Sequence, residues 1–308
     1  MPDRLIIGTR GSQLALWQSN WVKSKLEELH PNIDVQVQII TTTGDRVLNV
    51  SLPKLGEQGK GLFTKELEDA IIQRRVDVAV HSLKDLPTDL PAGLKIGAIC
   101  EREDVRDALV ARSGITSFDD LPIGARVGTS SLRRQSQLRA VRPDLIIEPI
   151  RGNVDTRLRK LESGEYDALI LAAAGLRRLG RDDNITQYLG EELILPAVGQ
   201  GAVAIETRDS ASHISEVVGS LQHQPTRIAC EAERAFLKAL GGGCLVPIAA
   251  LGQIVDQSLS IVGLVASLDG SEIMRANQVG SIADPQAIGR QLAQQLLQRG
   301  ADRLLARV

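Results

Sequence analysis

Short apolar runs alternate with helix-spaced apolar positions through the first two thirds of the chain. Arg4–Thr9 reads as a buried strand. Leu14, Trp17, Trp21, Val22, Leu26 and Leu29 then recur at helical spacing, which predicts a helix from about Ser12 to Leu29 that Pro31 stops. Val35–Thr41 is β-branched and alternating, a second strand. Thr42–Gly61 is polar and glycine-containing, a long loop of the functional or mobile kind. Leu62–Arg74 reads as a helix, Val76–Val80 as a strand, His81–Pro91 as a loop and Leu94–Cys100 as a strand. This alternation predicts an α/β domain with a mainly parallel sheet.

The pattern then restarts. Ile7-Gly8-Thr9-Arg10-Gly11-Ser12 opens the first strand-to-helix turn, and Val127-Gly128-Thr129-Ser130-Ser131 opens a similar one before a helix over Leu132–Val141. A strand (Leu145–Ile150), a helix (Asn153–Glu162) and a strand (Ala168–Ala172) follow. Two readings stand at this level: two similar α/β lobes facing across a cleft, or chance recurrence of a short motif. Beyond Pro196, Ala202–Glu206 is strand-like, and Thr226–Leu240 is a helix leading into Gly241-Gly242-Gly243-Cys244. Val246–Leu251, Leu259–Val265 and Glu272–Val279 alternate like an antiparallel sheet before a last helix over Pro285–Arg299, the signature of a small α+β domain. The expected lobes are residues 1–100 with about 200–221, then 101–199, with the C-terminal α+β domain over 222–308.

Composition narrows the function. Apolar residues are 43% of 308, enough for a sizeable core, but aromatics are only 2%, so that core is aliphatic. Scarce aromatics argue against stacking on single-stranded nucleic acid. A net charge of −2 gives no general attraction to nucleic acid or an anionic membrane. No signal peptide or bilayer-spanning run is expected. Cys100, Cys230 and Cys244 stand far apart, which fits reduced thiols in a cytosol rather than a disulfide framework or a zinc site. No P-loop or dinucleotide fingerprint occurs.

Three features carry candidate chemistry. Arg10, Arg133-Arg134, Arg151 and Arg157 cluster at strand-to-helix turns, where helices ordinarily place Asp or Glu. Arginines there, beside free backbone N–H groups, point to an external carboxylate or phosphate, against the bland alternative of solvated surface charge. Lys84 and Asp85 lie side by side just after a predicted strand, placed for proton transfer or simply turned to water. Cys244 follows three glycines and precedes Pro247, a setting for an exposed nucleophile or attachment point. Cys100 and Cys230 read as small buried hydrophobes.

Five segments in order resemble the porphobilinogen deaminase family: His81-Ser82-Leu83-Lys84-Asp85-Leu86-Pro87, Gly128-Thr129-Ser130-Ser131-Leu132-Arg133-Arg134, Ile150-Arg151-Gly152-Asn153-Val154-Asp155-Thr156-Arg157-Leu158, Ala197-Val198-Gly199-Gln200-Gly201-Ala202 and Gly241-Gly242-Gly243-Cys244-Leu245-Val246-Pro247. The resemblance spans nearly the whole chain. It implies two lobes like those of periplasmic binding proteins plus the third domain. It implies polymerisation of four porphobilinogen molecules, with loss of ammonia, into the linear tetrapyrrole hydroxymethylbilane, through an electron-poor azafulvene. It implies a dipyrromethane cofactor on a thioether to Cys244 and Asp85 as the catalytic carboxylate. By the same resemblance Lys84, Ser130, Arg133 and Arg134 bind the cofactor, and Arg10, Ser12, Arg151, Arg157, Arg178 and Lys60 bind substrate. No metal, nucleic acid or membrane is implied. A cytoplasmic monomer that passes its product to a tetrapyrrole-cyclising enzyme is expected. Two departures stand out: the loop Lys54–Lys60 is longer by two residues than the bacterial pattern, and Gly241 stands where the family has Glu. The competing readings are a two-lobed solute binder or sensor, and a polycarboxylate transferase using Cys244 as a transient nucleophile.

Overall fold

The computed structural model describes residues 4–46, 63–242 and 246–306. In chain order the elements are β1 (Arg4–Thr9), α1 (Gln13–Leu29), β2 (Asp34–Ile39), α2 (Thr43–Arg46), α3 (Lys65–Ile72), β3 (Val78–Ser82), β4 (Leu94–Ile99), β5 (Asp107–Ala111), β6 (Arg126–Gly128), α4 (Leu132–Val141), β7 (Ile146–Glu148), α5 (Val154–Glu162), β8 (Ala168–Ala172), α6 (Ala173–Arg178) and β9 (Gln187–Leu189). Then come β10 (Val203–Arg208), α7 (Ser212–Gly219), α8 (Gln224–Ala239), β11 (Ile248–Val255), β12 (Ser258–Ala266), β13 (Ile273–Ser281), α9 (Pro285–Gln298) and α10 (Ala301–Leu305). The chain divides into two compact units, Met1–Glu103 with Ala202–Arg227, and Asp104–Gly201 with Ile228–Val308.

The first unit is built on a sheet of order β2-β1-β3-β10-β4. β1 pairs in parallel with β2 and β3, as the strand–helix alternation predicts, while the returning β10 is antiparallel to both β3 and β4. Four of the five strands therefore run in one direction and β10 alone runs against them, a mainly parallel sheet with one antiparallel strand. Val22 and Leu26 of α1 pack with Leu5, Ile7, Val78 and Ile205, and Leu67, Ala70 and Ile71 of α3 pack with Val76 and Ala79. Each of these Val, Leu and Ile side chains removed from water stabilises the unit by about 1.5–3 kcal/mol.

The second unit repeats the scheme in its sheet of order β7-β6-β8-β5-β9. β6 is parallel to β7 and β8, and β5 is antiparallel to β8 and β9. The repeat reaches single residues. Asp77 accepts from the Ile6 amide at 2.9 Å just before β3, and Asp167 accepts from the Arg126 amide at 2.8 Å just before β8. Gly8 and Gly128 end the two matching apolar runs. A methyl on Gly128 would sit 2.7 Å from Leu169, and one on Gly8 would sit 3.1 Å from Val76. The short motif shared by the two turns is thus a structural repeat, not a coincidence.

The same unit holds the antiparallel sheet β11-β12-β13, as its alternation predicts. Phe236 of α8 and Leu292 and Leu296 of α9 cover it, packed on Ile248, Leu259 and Ile261. Among the described residues no helix is long and apolar enough to cross a membrane, and none of the His, Cys, Asp and Glu side chains group as a metal site.

Candidate active site

In the first unit the candidate residues lie just beyond β1 and β3. β1 ends at Thr9 and delivers Arg10, whose Nε donates to Asp45 Oδ1 at 3.1 Å. Its guanidinium also lies over the Phe63 ring, 4.1 Å from the centroid, a cation–π arrangement. Asp45 accepts further from the Thr42 hydroxyl at 2.7 Å. Burial pushes the Asp45 carboxyl up, but the hydrogen bonds from Arg10 and Thr42 and the charge of Arg10 outweigh it, and the group lies below the usual carboxylate range. Ser12 has a local task as N-cap of α1, accepting from the Ala15 amide at 3.3 Å.

β3 runs into a single 3₁₀ turn, Leu83–Asp85. Leu83 and Leu86 are buried on either side of it. Leu83 N–H donates to Ala202 O at 2.9 Å, and Gln18 donates to the Ser82 hydroxyl at 2.9 Å. The turn is thereby pinned while Asp85 stays exposed. Its carboxylate has no hydrogen-bond or ion-pair partner among the described residues.

In the second unit α4 begins directly after the β6 turn. Arg133 and Arg134 in its first turn point inward, not to solvent. Arg133 Nη2 lies 2.8 Å from Asp107 Oδ2, and Arg134 Nη2 lies 2.7 Å from Oδ1. Arg133 also donates to Leu195 O at 2.7 Å, and Arg134 to Ile170 O at 2.8 Å. Gln200 donates to Asp107 at 2.9 Å. Neither arginine is turned to solvent: both are buried and share a protein carboxylate. Two guanidinium groups against one carboxylate still leave one net positive charge. The Nε groups of both arginines are buried and have no hydrogen-bond partner among the described residues.

Ser130 donates to Ile150 O at 2.7 Å, tying the β6 turn to the segment that carries Arg151. There Gly152 takes a positive φ of 111° and Asn153 caps α5. Arg157 Nε donates to Gly152 O at 2.9 Å. Arg151 is half-buried and has no hydrogen-bond or ion-pair partner among the described residues. Arg178 is buried and donates to Gly201 O at 2.6 Å, next to the Gln200 that reaches Asp107. The structure thus gathers Arg133, Arg134 and Arg178 around Asp107 and the Gly199–Gly201 loop. Lys84 sits in the 3₁₀ turn beside Asp85. Lys60 and Cys244 lie outside the described residues.

Sequence reasoning overlooked Asp107, Gln200, Asp45 and Phe63. A signal for Asp107 was present: an acid opens the apolar run Asp107-Ala108-Leu109-Val110-Ala111, and an acid at the head of a buried strand calls for a cation.

Two family models cover most of the chain. Residues 5–216 match "porphobilinogen deaminase, dipyromethane cofactor binding domain", and residues 227–298 match "porphobilinogen deaminase, C-terminal domain". The chain belongs to the porphobilinogen deaminase family. A porphobilinogen deaminase of Syntrophobacter fumaroxidans is 52% identical over 309 residues, covering 100% of this chain and 99% of that one. One of Carboxydothermus hydrogenoformans is 49% identical over 308 residues, covering 100% and 98%. Among solved structures, the methionine-binding protein MetQ aligns with 72% of this chain and 90% of its own at a TM-score of 0.46 and 11% identity. Family membership rests on the sequence matches alone. As a porphobilinogen deaminase the chain is a transferase of tetrapyrrole synthesis with a domain for a dipyrromethane cofactor, which removes the solute-binding reading.

The cofactor carries carboxylate side groups, and the second unit offers what such a group needs. Buried donors without acceptors are rare in folded proteins. The Nε groups of Arg133 and Arg134, with their one uncompensated charge, fit a carboxylate-bearing ligand.

Proposed function

We propose that this chain joins four porphobilinogen molecules, releasing ammonia from each, into hydroxymethylbilane, with Asp85 as the catalytic carboxylate. The observation that carries the reading is Asp85 itself: an exposed carboxylate, without a partner among the described residues, on a pinned turn. Pairing elsewhere would blunt it, and a loose turn would misplace it. An ionised carboxylate there accepts a pyrrole N–H and stabilises the positive charge that develops on a substrate ring as ammonia departs. It also takes up and returns the protons that the reaction moves.

Lys84, Ser130, Arg133 and Arg134 would hold the dipyrromethane cofactor, anchored through Cys244. When bound, the cofactor supplies the free pyrrole α-carbon from which the chain grows. Arg10, Ser12, Arg151, Arg157, Arg178 and Lys60 would take the acetate and propionate groups of substrate. Arg151 is the readiest, because its guanidinium has no competing partner among the described residues. Arg10 meets an incoming carboxylate in competition with Asp45. The charge logic is direct: each added ring brings two carboxylates, and a chain of net charge −2 needs local arginines to hold a growing polyanion.

The further reading is of a cytoplasmic monomer whose product passes to a tetrapyrrole-cyclising enzyme. Residues 222–308 would form a third domain carrying the cofactor cysteine, beside lobes of 1–100 with about 200–221 and 101–199. The separate family match of residues 227–298 supports that boundary. Asp85→Asn tests the reading. Turnover falls by at least about a hundredfold, while folding and cofactor attachment persist. Near-normal turnover in that variant ends the assignment of Asp85.

A further inference from the structure

Behind the Asp85 turn lies a group of buried ionisable side chains that the chemistry above does not use. His81 of β3 stands four residues before Asp85, and its Nε2 is 3.0 Å from Glu206 Oε2 on β10. Their side chains are 4% and 0% exposed. Glu68 of α3 is buried close enough to feel both charges. Glu206 Oε1 and Glu68 Oε1 are buried and have no hydrogen-bond partner among the described residues.

Three groups in one apolar space set a charge problem. A single imidazolium matches a single carboxylate, so the second carboxyl must keep its proton or stand as an unpaired buried charge. Glu68 keeps it. Burial raises its carboxyl, and the negative charges of Glu206 and Asp69 add to this, against the Thr64 hydroxyl and His81. The next charged residue on the same face of β10, Arg208, gives no help. It pairs with Asp77 at 3.4 Å and donates to the carbonyls of Ile71 and Val76. His81 is the basic member of the cluster.

The cluster bears directly on the backbone that carries Asp85. His81 stands opposite Ala204, and Ser82 opposite Val203, in the β3–β10 register. Beyond them the Leu83 amide reaches Ala202 O. A change of charge between β3 and β10 therefore acts at the root of the Asp85 turn.

We propose that His81, Glu206 and Glu68 are positioning residues for Asp85: together they lock the end of β3 onto β10, so that the exposed carboxylate keeps its place. The proposal rests on Asp85 being the catalytic carboxylate. It predicts an alkaline limit to turnover. Glu68 has its folded value raised, so its contribution is complete below the ordinary glutamate range and is lost as pH rises through the raised value. Above that, a second negative charge sits under the turn.

The test compares kcat and KM against pH for the holoenzyme and for Glu206→Gln, Glu68→Gln and Asp85→Asn. The His81 ring resonances are followed by NMR, and cofactor loading is checked by intact mass. Glu206→Gln is expected to lower kcat about tenfold or more with KM within about twofold, at full cofactor loading, because the carboxylate is misplaced rather than lost. It also changes the His81 ring resonances, since the ring loses its carboxylate partner. Glu68→Gln, neutral at every pH, carries turnover further into the alkaline range. A Glu206→Gln enzyme with the parent kcat at every pH, or a Glu68→Gln enzyme with an unmoved alkaline limb, overturns the proposal. If Glu206→Gln does not fold, the alkaline limb of Glu68→Gln decides alone. An active Asp85→Asn enzyme removes the underlying reading and the proposal with it. An inactive one beside a fully active Glu206→Gln removes only the cluster's role.

Discussion

Asp107 and Arg134 meet at 2.7 Å with both side chains buried, and Arg133 closes on the other carboxylate oxygen at 2.8 Å. The acid at the head of β5 is the counter-ion that lets two guanidinium groups sit inside the second unit. Removing it strands two charges. Asp107→Asn is expected to destabilise the protein by about 3–5 kcal/mol, as for other broken buried pairs. Chemical denaturation of the apo and holo forms at neutral pH checks this.

The same carboxylate gives a pH dependence with a definite sign. Burial pulls Asp107 up, but the charges of Arg133 and Arg134 and the hydrogen bonds from Arg134 and Gln200 hold it well below the usual carboxylate range. A depressed folded value means stability that is fully present above the unfolded aspartate value and lost as pH falls below it. Denaturation midpoints of the parent protein should therefore drop steeply on the acid side of that value. Asp107→Asn should show a shallower acid slope.

Arg151 is the contrasting case. With no partner among the described residues and its side chain only half-buried, it does little for the fold. Arg151→Leu is expected to leave stability within about 0.5 kcal/mol. It should raise KM for porphobilinogen about tenfold, the loss of one charge-assisted contact. Equal losses in Tm and in activity would show that Arg151 is structural.

How much of this was legible in the sequence follows from what each signal depends on. The elements with strong periodicity, such as α1 and β11–β13, fall close to where their apolar spacing places them. The five motifs carry the family. By contrast β5 was missed because it follows Glu101-Arg102-Glu103-Asp104-Val105-Arg106, a charged run that reads as loop. α7 and β9 were missed because they are short and amphipathic only against their neighbours. The arginines were legible as a cluster, but not their partners. Asp107 and Asp45 lie tens of residues from the side chains they hold, and only tertiary packing brings them together. The parallel pairing of β1 and β6 followed from the alternation, whereas the antiparallel β10 and β5 pair with β3 and β8, strands far away in the chain, which local pattern does not encode.

Close packing of α9 on α8 gives a prediction that concerns the fold alone. A methyl on Gly289 would lie 2.1 Å from Ala232 O, a backbone atom that has nowhere to go. Gly289→Ala is expected to cost about 1–3 kcal/mol through forced separation of the two helices. Gly219→Ala is the comparison, since nothing stands within 4 Å of its position. Thermal unfolding of the two variants should place Gly289→Ala lower.

The central claim is that this chain builds a tetrapyrrole on a primer fixed to Cys244, and the intact mass of the purified protein tests it most directly. The account predicts a mass above that of the polypeptide by two linked pyrrole units, absent in Cys244→Ser. Addition of porphobilinogen should produce a ladder of single-pyrrole increments. A protein of bare polypeptide mass, unchanged by porphobilinogen even after preformed hydroxymethylbilane has been supplied to load an empty enzyme, would contradict it.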